Sequence, residues 1–213
     1  VKLNRAKSVF EVLNKKREVL PFEGAFLDSF GAPELGSIWL VWGDSGSGKT
    51  SLALALAKYM CELGYRVGYN SLEQGDSLSF ANAIRNADLD TVKGFILLDR
   101  EPIEQTIKRY KAHKSPDVLI IDSIQYSRMK YSEYIDFKHE LRGKMVIIIS
   151  QAKGSEPKGA TAGSIRFDAD VKVYCEGYKA FPMSRFGGEK EFVIYQQGAL
   201  EYWGFKNKKT END

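Results

Sequence analysis

The sequence predicts an α/β fold: a mainly parallel central sheet flanked by helices, with a carboxyl-terminal end rich in β-hairpins. Three observations predict it. Gly43-Asp44-Ser45-Gly46-Ser47-Gly48-Lys49-Thr50 has the G-x-x-x-x-G-K-[ST] spacing of a phosphate-cradling loop. The loop lies between an apolar run, Ser37 to Trp42, that reads as a buried strand, and Ser51 to Met60, which reads as a helix. Further short apolar runs then alternate with helical patterns, as a parallel sheet with helical crossovers requires.

Composition suits such a fold and excludes several alternatives. Hydrophobic residues make up 43% and charged residues 28% of the 213, ordinary values for a folded globular domain. No apolar run approaches the roughly 18 residues that span a bilayer, and the first twenty residues carry scattered charges where a secretory leader has an apolar core. The expected setting is therefore cytoplasmic, without a membrane partner. Cys61 and Cys175 fall in a predicted helix and a predicted strand, outside any C-x-x-C pair, and read as free core thiols. A net charge of +3 is too small to establish a nucleic-acid partner, so any such partner must be argued from where the cations fall.

Taken in order, residues 1–20 place Val9, Phe10, Leu13 and Leu20 at helical spacing among six cations, which predicts a basic amphipathic helix packed on its own core or on a neighbouring subunit. Pro21, Gly24, Gly31, Pro33 and Gly36 make 21–36 a connecting segment, and residues 21–205 form the main domain. After the helix that follows the loop stops at Gly64, Arg66 to Glu73 reads as the second strand, and Gln74-Gly75-Asp76 turns the chain into another helix. Gly94 to Asp99 is a third strand and Pro102 to His113 a helix; Asp117 to Asp122 is a fourth strand and Lys144 to Gln151 a fifth. The glycine-rich basic stretch 152–163 reads as a long functional loop. Val171 to Glu176 and Glu191 to Tyr195 read as strands around Ser184 to Gly188, and 206–213 as a disordered tail.

The chemistry follows from residue types at strand ends. Glycines let the backbone of Gly43 to Ser51 turn its N–H groups onto phosphate oxygens, helped by the positive end of the helix. Lys49 then reaches the β- and γ-phosphates, and Thr50 supplies a hydroxyl to Mg²⁺. Asp122 ends a wholly apolar strand, the Walker B arrangement, and holds the same ion opposite Thr50. Glu73 ends another strand; it reads equally as a residue facing the γ-phosphate and as a helix cap. His113 and His139 lie among surface residues. Arg128, Lys130, Lys153 and Lys158 are the cations of two polar stretches, and read equally as solvated loops and as contacts to a nucleic-acid backbone.

Together these motifs resemble one family. The order of phosphate loop, strand-end Glu73, Ile120-Ile121-Asp122-Ser123, Ser150-Gln151 and Asp168-Ala169-Asp170 before a strand is similar to the RecA-like ATPase core, nearest the DnaB-type hexameric helicases and the RadA and KaiC group. The resemblance spans about residues 22–203. It implies ATP and Mg²⁺ as ligands, Glu73 as the base that orients the attacking water, and Gln151 as the link between γ-phosphate and the adjacent loop. Met183-Ser184-Arg185-Phe186-Gly187 is similar to the K-N-R-F-G element of RadA and departs from it at Met183. By that resemblance Arg185 is a finger reaching a neighbour's nucleotide, which implies a homo-oligomer, a hexameric ring being favoured. The implied function is a DNA-linked ATPase in replication or recombination, with single-stranded DNA as partner. A KaiC-like nucleotide-driven switch without nucleic acid is the alternative.

Overall fold

The computed structural model describes residues 5–210, with side chains described as far as Phe205. The strands are β1 (Ile38–Gly43), β2 (Val67–Ser71), β3 (Phe95–Asp99), β4 (Val118–Asp122), β5 (Met145–Lys153), β6 (Glu156–Pro157), β7 (Val171–Glu176), β8 (Lys179–Ser184) and β9 (Phe192–Val193). The helices are α1 (Val9–Leu13), α2 (Gly24–Phe30), α3 (Lys49–Glu62), α4 (Leu78–Asn86), α5 (Ile103–Lys111), α6 (Ile124–Ser127), α7 (Tyr131–Glu140), α8 (Ala160–Asp168) and α9 (Gln196–Thr210). Sheet order is β3-β2-β4-β5-β1-β7-β8-β9, with β6 paired to β5 off this path. Pairs from β3 through β7 are parallel, and β8 and β9 add antiparallel strands at one edge.

Helices on both faces explain why the central strands read as unbroken apolar runs, since such a sheet meets no water on either side. Every residue of β1, β2 and β4 is buried. Alternate residues feed two cores. Trp39, Val41, Tyr69, Ile120 and Ile147 pack with Leu52, Leu56 and Met60 of α3, whereas Leu40, Trp42, Ile121 and Ile148 pack with Tyr110, Tyr134, Phe137 and Ile165 of α5, α7 and α8. No helix among the described residues is long and apolar enough to cross a membrane.

Several expectations are corrected. The helix expected over 1–20 is reduced to α1, which buries none of its residues, while residues 1–4 lie outside the described part. Ser8 and Glu11 cap it reciprocally, but Lys15-Lys16-Arg17 puts three like charges in its path and Val19 instead pairs with Glu34. A helix that short draws little from propensity alone. Segment 21–36, expected as a connection, contains α2, whose Phe26 stacks on Tyr59 at 4.1 Å and whose Phe30 packs on Trp39.

The long loop expected over 152–163 is mostly regular: β5 runs on to Lys153, turns, pairs back as β6, and α8 begins at Ala160. At the carboxyl end, β8 and α9 were not foreseen. Gly198 and Gly204 disguise α9 in the sequence, yet Trp203 anchors it with a hydrogen bond to the Gly177 carbonyl at 3.2 Å and an edge contact to Phe181. The tail expected over 206–213 is therefore helical through Thr210, and 211–213 lie outside the described residues.

Candidate nucleotide site at the carboxyl ends of the strands

Register brings the predicted residues to one crevice. Gly43 is level with Gln151 on one side and Cys175 on the other, and Ser71, two residues before Glu73, is level with Asp122. Parallel strands all point their carboxyl ends at this edge, where α/β sheets bind ligands. The hollow there, about 390 Å³, is lined by Lys49, Thr50, Glu73, Asp122, Ser123 and Gln151, among others.

The loop after β1 depends on glycine at the points where the chain comes close to itself. A Cβ on Gly43 would lie 2.2 Å from the Cys175 carbonyl oxygen, and Gly48 holds φ at +99° as the residue that opens α3. Behind this contact the buried Cys175 thiol is pushed up to about 12 by desolvation; it and Cys61 are both free and buried. Lys49 folds back over the loop and donates from Nζ to the Asp44 carbonyl at 2.7 Å. Burial lowers its pKa, against the opposing charges of Cys175, Asp122, Glu73 and Asp44. Ser47 Oγ is buried without a hydrogen-bond partner. Ser45, Gly46 and the half-buried Lys49 ammonium line the hollow at the start of α3, with Gly46 and Gly48 at positive φ, an arrangement that fits a phosphate group.

Asp122 is the centre of the acidic side. It is 6% exposed, and its Oδ2 accepts from Thr50 Oγ1 at 3.1 Å and from the Tyr69 hydroxyl at 2.6 Å. Desolvation raises its pKa, and those two hydrogen bonds oppose the rise. The pairing of Thr50 with a buried carboxylate is a donor set suited to a hard divalent cation such as Mg²⁺. Glu73 follows β2 with its amide bonded to the Asp122 carbonyl at 3.1 Å, and its carboxylate accepts from Ser123 Oγ at 3.3 Å. These bonds aim Glu73 into the hollow and not at a helix end; the cap of α4 is Ser77.

Gln151 belongs to a network that joins the hollow to the β5–β6 turn. Gln125 donates to Ser150 Oγ and to the Lys158 carbonyl, each at 2.8 Å, and accepts from the Gln151 amide at 3.2 Å. Lys158 Nζ donates to Gln151 Oε1 at 3.1 Å. The sequence reading put Lys158 with the loop cations; the structure ties it to the side chain that lines the hollow. Arg128, Lys130 and Lys153 are exposed, with Arg128 and Lys130 ahead of α7 and Lys153 at the end of β5. Tyr69 and Gln125 were missed as site residues. A hydroxyl inside a strand that is otherwise fully buried was the available signal for Tyr69.

Arg185 lies elsewhere. Its Nη1 donates to Asp170 Oδ1 at 3.1 Å, and Ser184 before it is level with Val171 at the start of β7. Cys175, level with Gly43, is four residues further along that strand, about 13 Å at the rise of a strand. The guanidinium is thus at the opposite edge of the sheet from its own phosphate loop.

Comparison with known proteins agrees with this geometry. Residues 39–158 match the model of the ATPase family associated with various cellular activities (AAA). The chain is 36% identical over 95 residues to the DNA repair protein RadA of Chlamydia muridarum, covering 45% of this chain and 20% of that protein. It is 32% identical over 120 residues to the DNA repair protein RadA of Chlamydia pneumoniae, covering 56% and 26%. The chain therefore spans about a fifth to a quarter of the length of these curated relatives. A KaiC-like protein from the archaeon Pyrococcus horikoshii superimposes with a TM-score of 0.60 at 17% identity, over 83% of this chain and 93% of that one, a likeness of fold. The sheet order, the phosphate loop and the strand-end acids together make a RecA-like P-loop ATPase core, and with the family match running over more than half of its residues, this chain belongs to the ATPase family associated with various cellular activities.

Proposed function

We propose that this ATPase core hydrolyses ATP with Mg²⁺ while acting on DNA, as a homo-oligomer whose sites lie between neighbours. The observation that carries the reading is the convergence of Lys49, Thr50, Glu73 and Asp122 on one hollow at the carboxyl ends of the strands. Lys49 leaves the Asp44 carbonyl for the γ-phosphate, and loop amides hold the remaining oxygens. Thr50 and Asp122 would hold Mg²⁺, which when bound would neutralise phosphate charge. Glu73 takes the proton of a water whose oxygen bonds to the γ-phosphorus as the bond to the β–γ bridging oxygen breaks, leaving ADP and phosphate. Gln151, through Gln125 and Lys158, passes the state of the γ-phosphate to the β5–β6 turn.

DNA as the partner rests on the resemblance to two proteins named for DNA repair and on the exposed cations Arg128, Lys130 and Lys153. The second reading, a nucleotide-driven switch without nucleic acid, is favoured by one observation: Lys158 is engaged with Gln151 and not presented to a polyanion. ATP turnover with and without single-stranded DNA tests the choice. A several-fold rise at saturating DNA is expected; turnover indifferent to DNA leaves the switch, and no turnover at all removes the hydrolytic reading.

A further inference from the structure

On the sheet edge opposite the nucleotide hollow, a second hollow of about 520 Å³ lies where the turn before β1 meets the loop between α7 and β5. Three stretches form it, together with Lys7 from ahead of α1. The coil after α1 is pinned to the turn by Leu35 N donating to the Glu18 carbonyl at 2.9 Å and by the Val19–Glu34 bridge. The turn touches the third stretch closely, since a Cβ on Gly36 would lie 3.6 Å from Gly143 Cα. The site is thus framed by backbone contacts.

Five cations line it: Lys7, Lys15, Lys16, Arg17 and Arg142. Arg17 is internally engaged, with Glu34 at 3.7 Å and the Val12 and Lys15 carbonyls at 3.2 Å each. Of the two acids in the wall, Glu34 faces Arg17 and Glu18 takes the Tyr65 hydroxyl. Nearby Lys144 is paired with Asp117. The other four cations, Lys7, Lys15, Lys16 and Arg142, have no ion-pair partner among the described residues. The whole chain carries only three more positive than negative charges, so gathering four unneutralised cations around one hollow concentrates positive potential there.

We propose that this hollow holds the phosphate backbone of a nucleic-acid strand, away from the ATP site and from Arg128, Lys130 and Lys153. A phosphodiester chain brings one charge per residue and so meets separate cations one by one, which a single inorganic phosphate does not. Among the described residues no aromatic side chain lines the hollow, so it offers bases no stacking platform and recognition goes by charge, independent of sequence. Three of the four free cations are lysines, point charges on long stems that track a backbone without a fixed fork. The inference is independent of hydrolysis, because none of these residues touches the nucleotide hollow.

The test is fluorescence anisotropy of a labelled oligothymidine of roughly 20 nucleotides over a salt series, with the full chain and its K7Q/K15Q/K16Q/R142Q variant. Each lost phosphate contact flattens the plot of log affinity against log salt by about 0.7 for a single strand, so the variant is expected to lose roughly 3 from the slope. The double variant K15Q/K16Q, a smaller perturbation of the coil, should lose about half of that. Affinity for fluorescent ATP should stay unchanged in both, which separates a failure here from failure of the ATPase reading. An unchanged salt slope in the variants, no oligonucleotide binding by the parent at low salt, or displacement by an equally charged poly-glutamate at the same concentration as by DNA would each overturn the proposal, the last in favour of an acidic peptide.

Discussion

The Tyr69 hydroxyl and the Thr50 hydroxyl donate to the same oxygen of Asp122, Tyr69 at 2.6 Å and Thr50 at 3.1 Å. Tyr69 is fully buried, packed between Phe80 and Phe95, so its bond is fixed by the core. Thr50 lies in the first turn of α3 at the hollow itself and is the one able to turn to another partner. Tyr69 therefore positions the carboxylate, and the prediction is that Tyr69→Phe keeps the fold but raises the Mg²⁺ concentration for half-maximal binding of fluorescent ATP by about tenfold or more, the usual cost of losing an outer-shell partner. A Mg²⁺ midpoint equal to the parent's would show that Thr50 alone suffices.

Lys49→Ala should weaken ATP binding by about 10- to 100-fold, the worth of one hydrogen bond to a charged group. The parent side chain is half-buried and reaches only the Asp44 carbonyl across its own loop, so its removal costs the fold little. Isothermal titration with a non-hydrolysed ATP analogue checks this, together with a melting temperature within a few degrees of the parent's.

Glu73→Gln should bind ATP as the parent does and hydrolyse it slower by roughly 10² or more, since an amide cannot accept the proton. The substitution retains an oxygen able to accept from Ser123 Oγ, so shape and orientation persist. Single-turnover hydrolysis is the measurement, and a parent-like rate would assign the base elsewhere.

How much of this was legible beforehand differs by element. The parallel strands were, because burial on both faces leaves an apolar run with sharp ends, and those ends carry Gly43, Glu73, Asp122 and Gln151 in the order of the chain. What sequence could not resolve was register, and register is what sets Tyr69 on Asp122 and Lys158 on Gln151. Glycines misled in two places: Gly24 and Gly31 flank α2 and do not break it, and Gly198 allows α9 to pass Tyr178 and Tyr195, where a Cβ would lie 2.6 Å from a ring atom. The basic amphipathic pattern of 1–20 overstated helix because, of Val9, Phe10, Leu13 and Leu20, only Leu20 packs: it is 1% exposed and the other three are 75% exposed.

A pH dependence follows from Asp168. Its burial works against ionisation, but hydrogen bonds from Lys138 at 2.8 Å and from the Tyr134 hydroxyl at 2.5 Å outweigh it and hold the carboxyl below its ordinary value. With the folded value below the unfolded one, its stabilisation is complete above about pH 4 and is lost as pH falls through the folded value. Asp168→Asn should therefore lower stability in urea at pH 7, and the gap to the parent should close progressively on acidification below pH 4. A gap constant from pH 7 to pH 3 would assign the effect to packing and not to charge.

Arg185 is about a strand's length from its own phosphate loop, and its side chain is 60% exposed. A cation there is unable to serve the nucleotide of its own chain, yet transfer of a phosphoryl group spreads charge that a second cation besides Lys49 ordinarily stabilises. In the homo-oligomer proposed above, a neighbour would bring the two edges together. Arg185→Ala should leave ATP binding nearly intact and lower hydrolysis by about 10³ or more, as loss of a finger does. The fold should hold, because Asp170 keeps its hydrogen bond to the Ile38 amide at 3.0 Å when the guanidinium is gone. Mixing Arg185→Ala with Lys49→Ala chains, once subunit exchange has been shown by fluorescence transfer, should restore part of the activity, since an intact phosphate loop then meets an intact Arg185. Exchanging mixtures as inactive as the separate variants, or turnover per chain unchanged on dilution to proven monomer, would confine the active site to one chain and leave Arg185 as a partner of Asp170 alone.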